Sequence, residues 1–154
     1  MNGLQYLLTS DAVNFTAAGA MMTISAPADA AVIIDRIEVT QESVTSSEAN
    51  AIQVNRASDT GTGGGARTPA PAQVGFPAAG TSAKDGSTVW SVQPTLTTLI
   101  MRKAFNLLTG FLWHPTPNEH IVLSPSGILC IRLENAPAGS TAFSIDVQFR
   151  EIGG

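Results

Sequence analysis

Nucleophilic catalysis in this chain would draw on its single cysteine, Cys130, and its two histidines, His114 and His120. A catalytic cysteine or serine needs a histidine beside it and an acid that orients the histidine. Cys130 stands in an alternating apolar run, where a small buried thiol is expected. The serines lie in turn-like segments and form no Gly-x-Ser-x-Gly elbow. We therefore expect no catalytic residue and no enzyme activity, with a hydrolase built on two acidic residues as a distant alternative.

A metal site would use His114 and His120, with Glu119 as a third ligand. The residues between the histidines, 115–118, read Pro-Thr-Pro-Asn and predict a turn. The resulting spacing matches no zinc motif, and a lone cysteine rules out a zinc site built on several thiolates. We expect no metal.

The glycine run at 61–66 matches the pattern G-x-G-x-x-A of dinucleotide-binding proteins. That fingerprint requires a strand before it and a helix after it, so that the helix N-terminus faces the pyrophosphate. Two prolines, Pro69 and Pro71, follow almost at once and prevent the helix. We expect no nucleotide and no other cofactor.

Hydrophobic residues recur along the chain with a period of two, which predicts strands. The clearest alternation is at 143–149, where Phe143, Ile145, Val147 and Phe149 share one face. Short strands separated by turn residues at intervals of about 8–12 residues indicate a β-sandwich or barrel. The predicted strands are 4–8, 13–16, 21–25, 31–40, 51–56, 88–92, 96–102, 110–114, 120–123, 128–133 and 143–149.

Two segments fit this pattern less well. Asp35 falls on the apolar face of the strand predicted at 31–40. The segment 95–108 has leucines at helical spacing, but its three threonines and Ile100 favour a strand. We expect strand or extended structure there, and one helix stays the alternative.

The domain boundaries follow from composition. Residues 58–87 are rich in glycine and proline, and we expect one extended loop of about thirty residues that could lie over a neighbouring subunit. Residues 11–154 are then a single β-sandwich domain, and residues 1–10 are an N-terminal arm or edge strand. Such an arm could add a strand to the sheet edge of a partner.

Composition narrows the class of protein. Hydrophobic residues make up 44% of the 154, enough for a core, whereas charged residues reach only 13%, about half the usual share. This scarcity suits a surface partly covered by neighbours. The net charge of −4 argues against nucleic-acid binding. We expect no signal peptide, membrane span or disulfide, and folding in a reducing cytoplasm.

Large aromatic residues are the remaining candidates for contact. Phe111 and Trp113 stand two apart on one face of a predicted strand, which favours core packing or a subunit contact. Trp90 is expected to pack at a strand end, with sugar binding as the alternative. We select a set of candidate subunit or capsid interface residues: Leu4, Tyr6, Leu7, Leu8, Trp90, Phe111 and Trp113.

The second half has a recognisable order of motifs. Phe105-Asn106 precedes the run GFLWHPTPNEHIVLSPSG at 110–127, and a closing strand from Phe143 leads to the tail EIGG. The first half adds TISAPA at 23–28 and DRIEVT at 35–40. Over most of its length the chain thus resembles the head decoration (cement) proteins and other small virion structural proteins of tailed bacteriophages.

The resemblance implies an all-β, jelly-roll-like antiparallel β-sandwich that forms a homotrimer on the outer surface of the capsid. Its partners would be copies of itself and the major capsid protein, and its work would be to stabilise contacts between capsid subunits. The family carries no catalytic residues. The protein would be made in the host cytoplasm and reside on the virion. The alternatives are a tail or fibre component, or a carbohydrate-binding jelly-roll module with a glycan contact.

Overall fold

The structure is a computed structural model that describes residues 3–43 and 47–153. Within these ranges the chain forms twelve strands and no helix, which confirms the all-β prediction. The strands are β1 (Leu4–Phe15), β2 (Gly19–Ser25), β3 (Ala30–Gln41), β4 (Ala49–Ala57), β5 (Thr62–Arg67), β6 (Ala70–Pro71), β7 (Ser82–Val92), β8 (Leu96–Asn106), β9 (Phe111–Trp113), β10 (Ile121–Leu123), β11 (Ile128–Leu133) and β12 (Thr141–Gly153).

In the described part of the chain, the strands form two antiparallel sheets, as predicted for a β-sandwich. In sheet A, β9 and β10 both pair with β3, and the order continues through β12 and β1 to β6. In sheet B the order is β5-β7-β2-β11-β4-β8. The strands nearest the two ends of the chain, β1 and β12, therefore lie side by side within sheet A.

The core lies between the sheets and is filled by the inward-facing residues of both. Tyr6 stacks on Phe149 with ring centroids 5.6 Å apart, and Phe15 meets Phe143 edge to face at 5.9 Å. Sheet B contributes buried aliphatic side chains such as Ile24. Each fully buried large side chain stabilises the fold by about 1.5–3 kcal/mol. The alternation seen in the sequence therefore marks the inner face of each strand.

Residues 4–10 belong to strand β1 near an edge of sheet A, which is the edge-strand alternative of the prediction and not the free arm. β1 pairs along its length with β12, and on its other side Tyr6 and Leu7 pair with the short strand β6. Tyr6 and Leu8 are each only 1% exposed. These side chains face the protein's own core because their alternation matches its inner face. Residues 1 and 2 lie outside the described ranges.

The prediction of one extended loop over 58–87 is also wrong. β5 pairs with β7, so within 58–87 the only irregular segments longer than two residues are 58–61 and 72–81. The glycines are explained by the close approach of β7, and at Gly64 it is the indole of Trp90 that packs against the backbone of β5. A Cβ at Gly64, where φ is +75°, would lie 3.0 Å from the Trp90 ring. Glycine here makes room for an aromatic ring, although its density resembles that of a flexible loop.

The two segments that fit the alternation less well, 31–40 and 95–108, both form strands with a β-bulge, where one residue has no partner in the neighbouring strand. β8 confirms strand over helix for the segment 95–108. In β3 the register shifts beside Asp35, because Ile34 pairs with Phe149 and Arg36 with Gln148. Asp35 is thereby turned away from the core and accepts two hydrogen bonds from Arg150, at 2.7 and 2.8 Å. The bulge therefore explains how the chain can have a polar residue at a position that alternation assigns to the apolar face.

A buried carboxylate ties the two sheets together. Asp85 on β7 has no exposed surface, and its carboxylate accepts a 2.5 Å hydrogen bond from Ser10 on β1. Ser87 donates its hydroxyl at 2.5 Å and its N–H at 3.0 Å, and Arg67 on β5 completes the set. Burial raises the pKa of Asp85, but these hydrogen bonds outweigh it and hold the pKa below its ordinary value.

Asp85→Asn should destabilise the protein by about 2–3 kcal/mol, because it removes the charge from a buried hydrogen-bonded group. The carboxyl has a lower pKa folded than unfolded. Its contribution is therefore complete above the ordinary pKa of about 4 and is lost as the pH falls through the folded value. Urea unfolding at several pH values measures both effects.

The exposed Asp29 offers a matched control, since Asp29→Asn should leave the free energy of unfolding nearly unchanged. The account of the tie between sheets is contradicted if Asp85→Asn and Asp29→Asn have the same small effect at neutral pH.

Candidate functional site

The two long edges of the sandwich differ. At one edge, β1 and β6 of sheet A lie beside β5 and β7 of sheet B, joined by the Asp85 hydrogen bonds. We call this the tied edge. At the other edge, β9 and β10 end sheet A and β8 ends sheet B, and within residues 3–43 and 47–153 no strand pairing joins them. We call this the open edge.

A groove of about 430 Å³ runs along the open edge between β8 and the segment containing β9 and β10. Its volume falls in the range of small-molecule sites, but it is a shallow groove that is open to solvent. Its lining is mixed, with polar atoms forming the larger part of the exposed surface. The apolar residues are Ile100, Met101, Trp113, Pro115 and Ile121, and the polar residues are Lys103, His114 and Glu119.

The groove carries one charged group of each sign, Lys103 and Glu119. Glu119 is engaged locally, because its carboxylate accepts a 2.9 Å hydrogen bond from the hydroxyl of Thr116. Lys103 lies opposite the buried Ile52 in the register and therefore faces the inner side of the sheet. Among the described residues, Lys103 forms no ion pair. The groove thus offers several apolar side chains among polar groups that include an unpaired ammonium group.

β8 is built to resist the addition of a regular strand. Its register against β4 shifts twice, which leaves Ile100 and Thr97 as extra residues. Bulges and an inward-facing lysine such as Lys103 are devices that protect an exposed sheet edge. The first bulge also directs Ile100, 36% exposed, to the groove. The open edge therefore favours contacts through side chains over strand pairing.

Phe111 and Trp113 pair with Val39 and Ile37 on the same face of β9, as the sequence predicts. Phe111 is buried in the core, where its ring meets that of Phe105 edge to face at 6.2 Å. Trp113 packs against the core on one side and lines the groove on the other. The structure thus makes Phe111 a core residue and Trp113 a groove residue.

The other predicted interface residues lie far from the groove. Tyr6 and Leu8 are buried, Leu4 packs against the core, and Leu7 is 46% exposed on the outer face of sheet A. Trp90 is only 7% exposed, and its indole N–H donates to the carbonyl of Thr60 at 3.1 Å. Of these five, only Leu7 offers substantial surface to a partner.

Sequence reasoning missed a projecting apolar loop at 72–79, which follows β6 at the tied edge. Val74 at its tip is fully exposed. The base of the loop is held by Tyr6, whose hydroxyl donates to the carbonyl of Pro77 at 3.3 Å, and by Glu151, which accepts from the N–H of Thr81 at 2.6 Å. The signal in the sequence was a valine between a polar residue and a glycine, since a lone apolar residue at such a position becomes exposed.

Two of the residues considered for metal binding, His114 and Glu119, line the groove at the open edge, whereas His120 and Cys130 do not. Among the described residues, no three His, Cys, Asp or Glu side chains are placed to hold a metal ion. His120 instead lies 3.3 Å from Asp35 and 3.2 Å from the carbonyl oxygen of Ile34. Cys130 is buried, and burial raises the pKa of its thiol to about 12. Within the described ranges no helix is long and apolar enough to cross a membrane.

Comparison with protein families, curated proteins and solved structures finds no match for this chain.

Cys130 should react with a thiol reagent such as DTNB only when the protein unfolds. With a pKa of about 12, the thiolate fraction at pH 8 is about a thousandfold smaller than at the ordinary pKa of 9.0, and burial slows access further. We expect reaction in urea to be at least about a thousandfold faster than in buffer. A stopped-flow absorbance assay measures both rates.

A control thiol on the exposed strand β8, Thr97→Cys with Cys130→Ser, should react rapidly without urea. Equal rates for native and unfolded Cys130 would show that the thiol is not buried in the folded protein.

Proposed function

We propose that this chain is a structural virion protein that binds the outer surface of a phage capsid as a homo-oligomer and stabilises contacts between major capsid subunits. The observation that carries the proposal is the difference between the two edges. The open edge has a groove of mixed polar and apolar lining that includes Ile100 and Trp113, and the tied edge carries the loop with the exposed Val74.

A groove on one edge and an apolar projection on the opposite edge suit a head-to-tail contact between copies. Such a heterologous contact forms a closed ring when the rotation between copies divides a full turn, and otherwise forms a filament. The proposed ring is a trimer, as the resemblance to decoration proteins implies. In it the Val74 loop of each copy occupies the groove of the next.

The exposed apolar side chains support a protein that works by broad adhesion. Leu99 and Leu108 are exposed in and just beyond β8, and Leu112 and Val122 are exposed on the outer face of sheet A. Exposed apolar side chains on both outer faces suit contacts with more than one neighbour, and few charged residues accompany them in the chain. The faces left outside the ring are then available to capsid subunits.

A tail or fibre component could use the same surfaces. The part of the virion to which the protein binds distinguishes this alternative from the capsid proposal. In the carbohydrate-binding alternative, Trp90 cannot contact a sugar because its ring is buried. It retains Trp113 in the groove, so specific sugar binding that is lost in Trp113→Ala would favour it.

Co-sedimentation with purified particles tests the proposed function. We expect saturable binding of the purified chain to shells that lack it, and a higher temperature of shell disruption once it is bound. Binding to isolated tails, with none to shells, would contradict the capsid assignment and favour the tail or fibre alternative.

The head-to-tail contact predicts the masses of two variants. Val74→Asp disables the loop and Ile100→Asp disables the groove, because each places a charge in an apolar contact. Each variant alone should sediment as a single chain of 16.0 kDa. An equal mixture retains one intact loop and one intact groove, and should form a species of twice that mass in analytical ultracentrifugation.

Val89→Asp is the matched control, since Val89 is similarly exposed but lies on β7, away from both surfaces. It should assemble like the native chain. A mixture that stays at the mass of one chain, or a Val74→Asp variant that assembles normally, would rule out this contact.

A further inference from the structure

The outer face of sheet B carries a half-buried arginine that is separate from both edges of the sandwich. Arg132 on β11 pairs with Gln53 on β4, and Gln53 pairs with Arg102 on β8. Paired residues of neighbouring strands point to the same side, and the residues that flank Arg132, Ile131 and Leu133, belong to the core. Arg132, Gln53 and Arg102 therefore form a row on the outer face.

Arg132 differs from every other arginine of the chain. The other five each donate a hydrogen bond within the protein: Arg36 to Glu38, Arg56 to the carbonyl of Val122, Arg67 to Asp85, Arg102 to Glu134 and Arg150 to Asp35. Within residues 3–43 and 47–153, Arg132 forms no hydrogen bond and no ion pair. Its Nε atom is enclosed, so contact with a partner is left to the two terminal nitrogens, which are not enclosed.

The acid nearest in sequence to Arg132, Glu134, is already engaged. Its carboxylate accepts hydrogen bonds from Nε of Arg102 at 3.0 Å and from the amide of Gln53 at 3.1 Å. The hydrogen bond from Arg102 holds the pKa of Glu134 below its ordinary value, and the charge of Arg132 makes a smaller contribution. Glu134 is thus charged and held by Arg102, which leaves the charge of Arg132 without a close counterion.

A small pocket of about 80 Å³ opens beside Arg132, between the turn that joins β1 to β2 and the connection from β7 to β8. Gln93 in that connection lines the pocket, and its side-chain oxygen accepts a 2.7 Å hydrogen bond from the N–H of Ala20. The amide nitrogen of Gln93 is left as a donor without a partner in the described part of the chain. Glycine at position 19 makes room for this amide, since a Cβ there would lie 3.0 Å from it.

The size and lining of the pocket restrict what it can hold. Small-molecule sites usually measure about 300–1,000 Å³, so a pocket of 80 Å³ suits one functional group and not a whole metabolite. Ala18, Pro94 and Leu96 supply apolar contacts beside the two donors. Among the residues that the structure describes, no Asp or Glu lines the pocket. An acceptor group at the end of a short apolar stem fits this lining.

We propose that the pocket receives an acidic side chain of a partner protein. The terminal nitrogens of Arg132 bind the carboxylate, the amide of Gln93 donates a further hydrogen bond, and the apolar rim contacts the methylene groups of the acidic residue. A guanidinium group matches a carboxylate in both charge and geometry, because its N–H donors form a planar fork. The inference does not depend on the proposed capsid role.

An NMR titration of the isotope-labelled full chain tests the pocket with a blocked pentapeptide that has one glutamate among alanines. The same peptide with glutamine in place of glutamate is the neutral control. We expect saturable shifts of the backbone amide of Arg132 and the side-chain amide of Gln93 with the glutamate peptide alone.

Two variants remove the two donors separately. Arg132→Met should weaken binding of the glutamate peptide at least about tenfold, a loss of about 1.4 kcal/mol. Gln93→Glu keeps an oxygen to accept from Ala20 but replaces the free donor with a negative charge, so it should weaken binding at least as much. The amide spectrum of each variant reports whether it is folded.

Lys84→Met is the matched control. Lys84 also lies on the outer face of sheet B and forms no ion pair within the described ranges, but it does not line this pocket. Its substitution removes the same charge and should leave binding unchanged. Sodium acetate is a second probe, because it supplies a free carboxylate without a peptide.

The proposal is overturned if the glutamate peptide causes no more change than the glutamine peptide. It is overturned equally if folded Arg132→Met and Gln93→Glu bind the glutamate peptide as tightly as the native chain, or if Lys84→Met weakens binding as much as they do. Binding of acetate without binding of the glutamate peptide would also contradict it, since the occupant would then be a free ion.

Discussion

A sandwich of two sheets buries the faces that meet, but each sheet still ends in strands with one unpaired side. This constraint governs the rest of the molecule. The tied edge is joined across the sheets by the carboxylate of Asp85, which is held by Ser10 on one side and by Arg67 and Ser87 on the other. The open edge has no such tie within the described residues, and its groove remains accessible.

The open edge is protected against one kind of contact and suited to another. The two bulges of β8 and the inward-facing Lys103 hinder the pairing of a foreign strand, which guards against uncontrolled aggregation. The same bulges direct Ile100 to the groove beside Trp113. A surface of this type selects a partner by the shape of its side chains. In the proposed assembly that partner is the Val74 loop, whose base is held in place by Tyr6 and Glu151.

Local alternation was sufficient to predict most strands, because burial on one face of a pleated strand imposes a period of two. In the segment at 95–108, which lacks clear alternation, the threonines and Ile100 predicted the strand. Prediction failed where a residue serves a distant neighbour. Gly64 of β5 accommodates the ring of Trp90, and Tyr6 and Leu8 contact the protein's own core and not a partner. The groove lay beyond local reasoning, because β8 and β9 meet only through the topology of two sheets, as do Ser10 and Asp85.

The central claim is that the groove and the Val74 loop cover each other in neighbouring copies. Hydrogen–deuterium exchange of the native chain and of Val74→Asp, compared at equal concentration, tests this most directly. The account predicts that amides at 97–103 and 72–79 exchange slowly together in the native chain and quickly together in the variant. Equal exchange of both segments in the two proteins would contradict it.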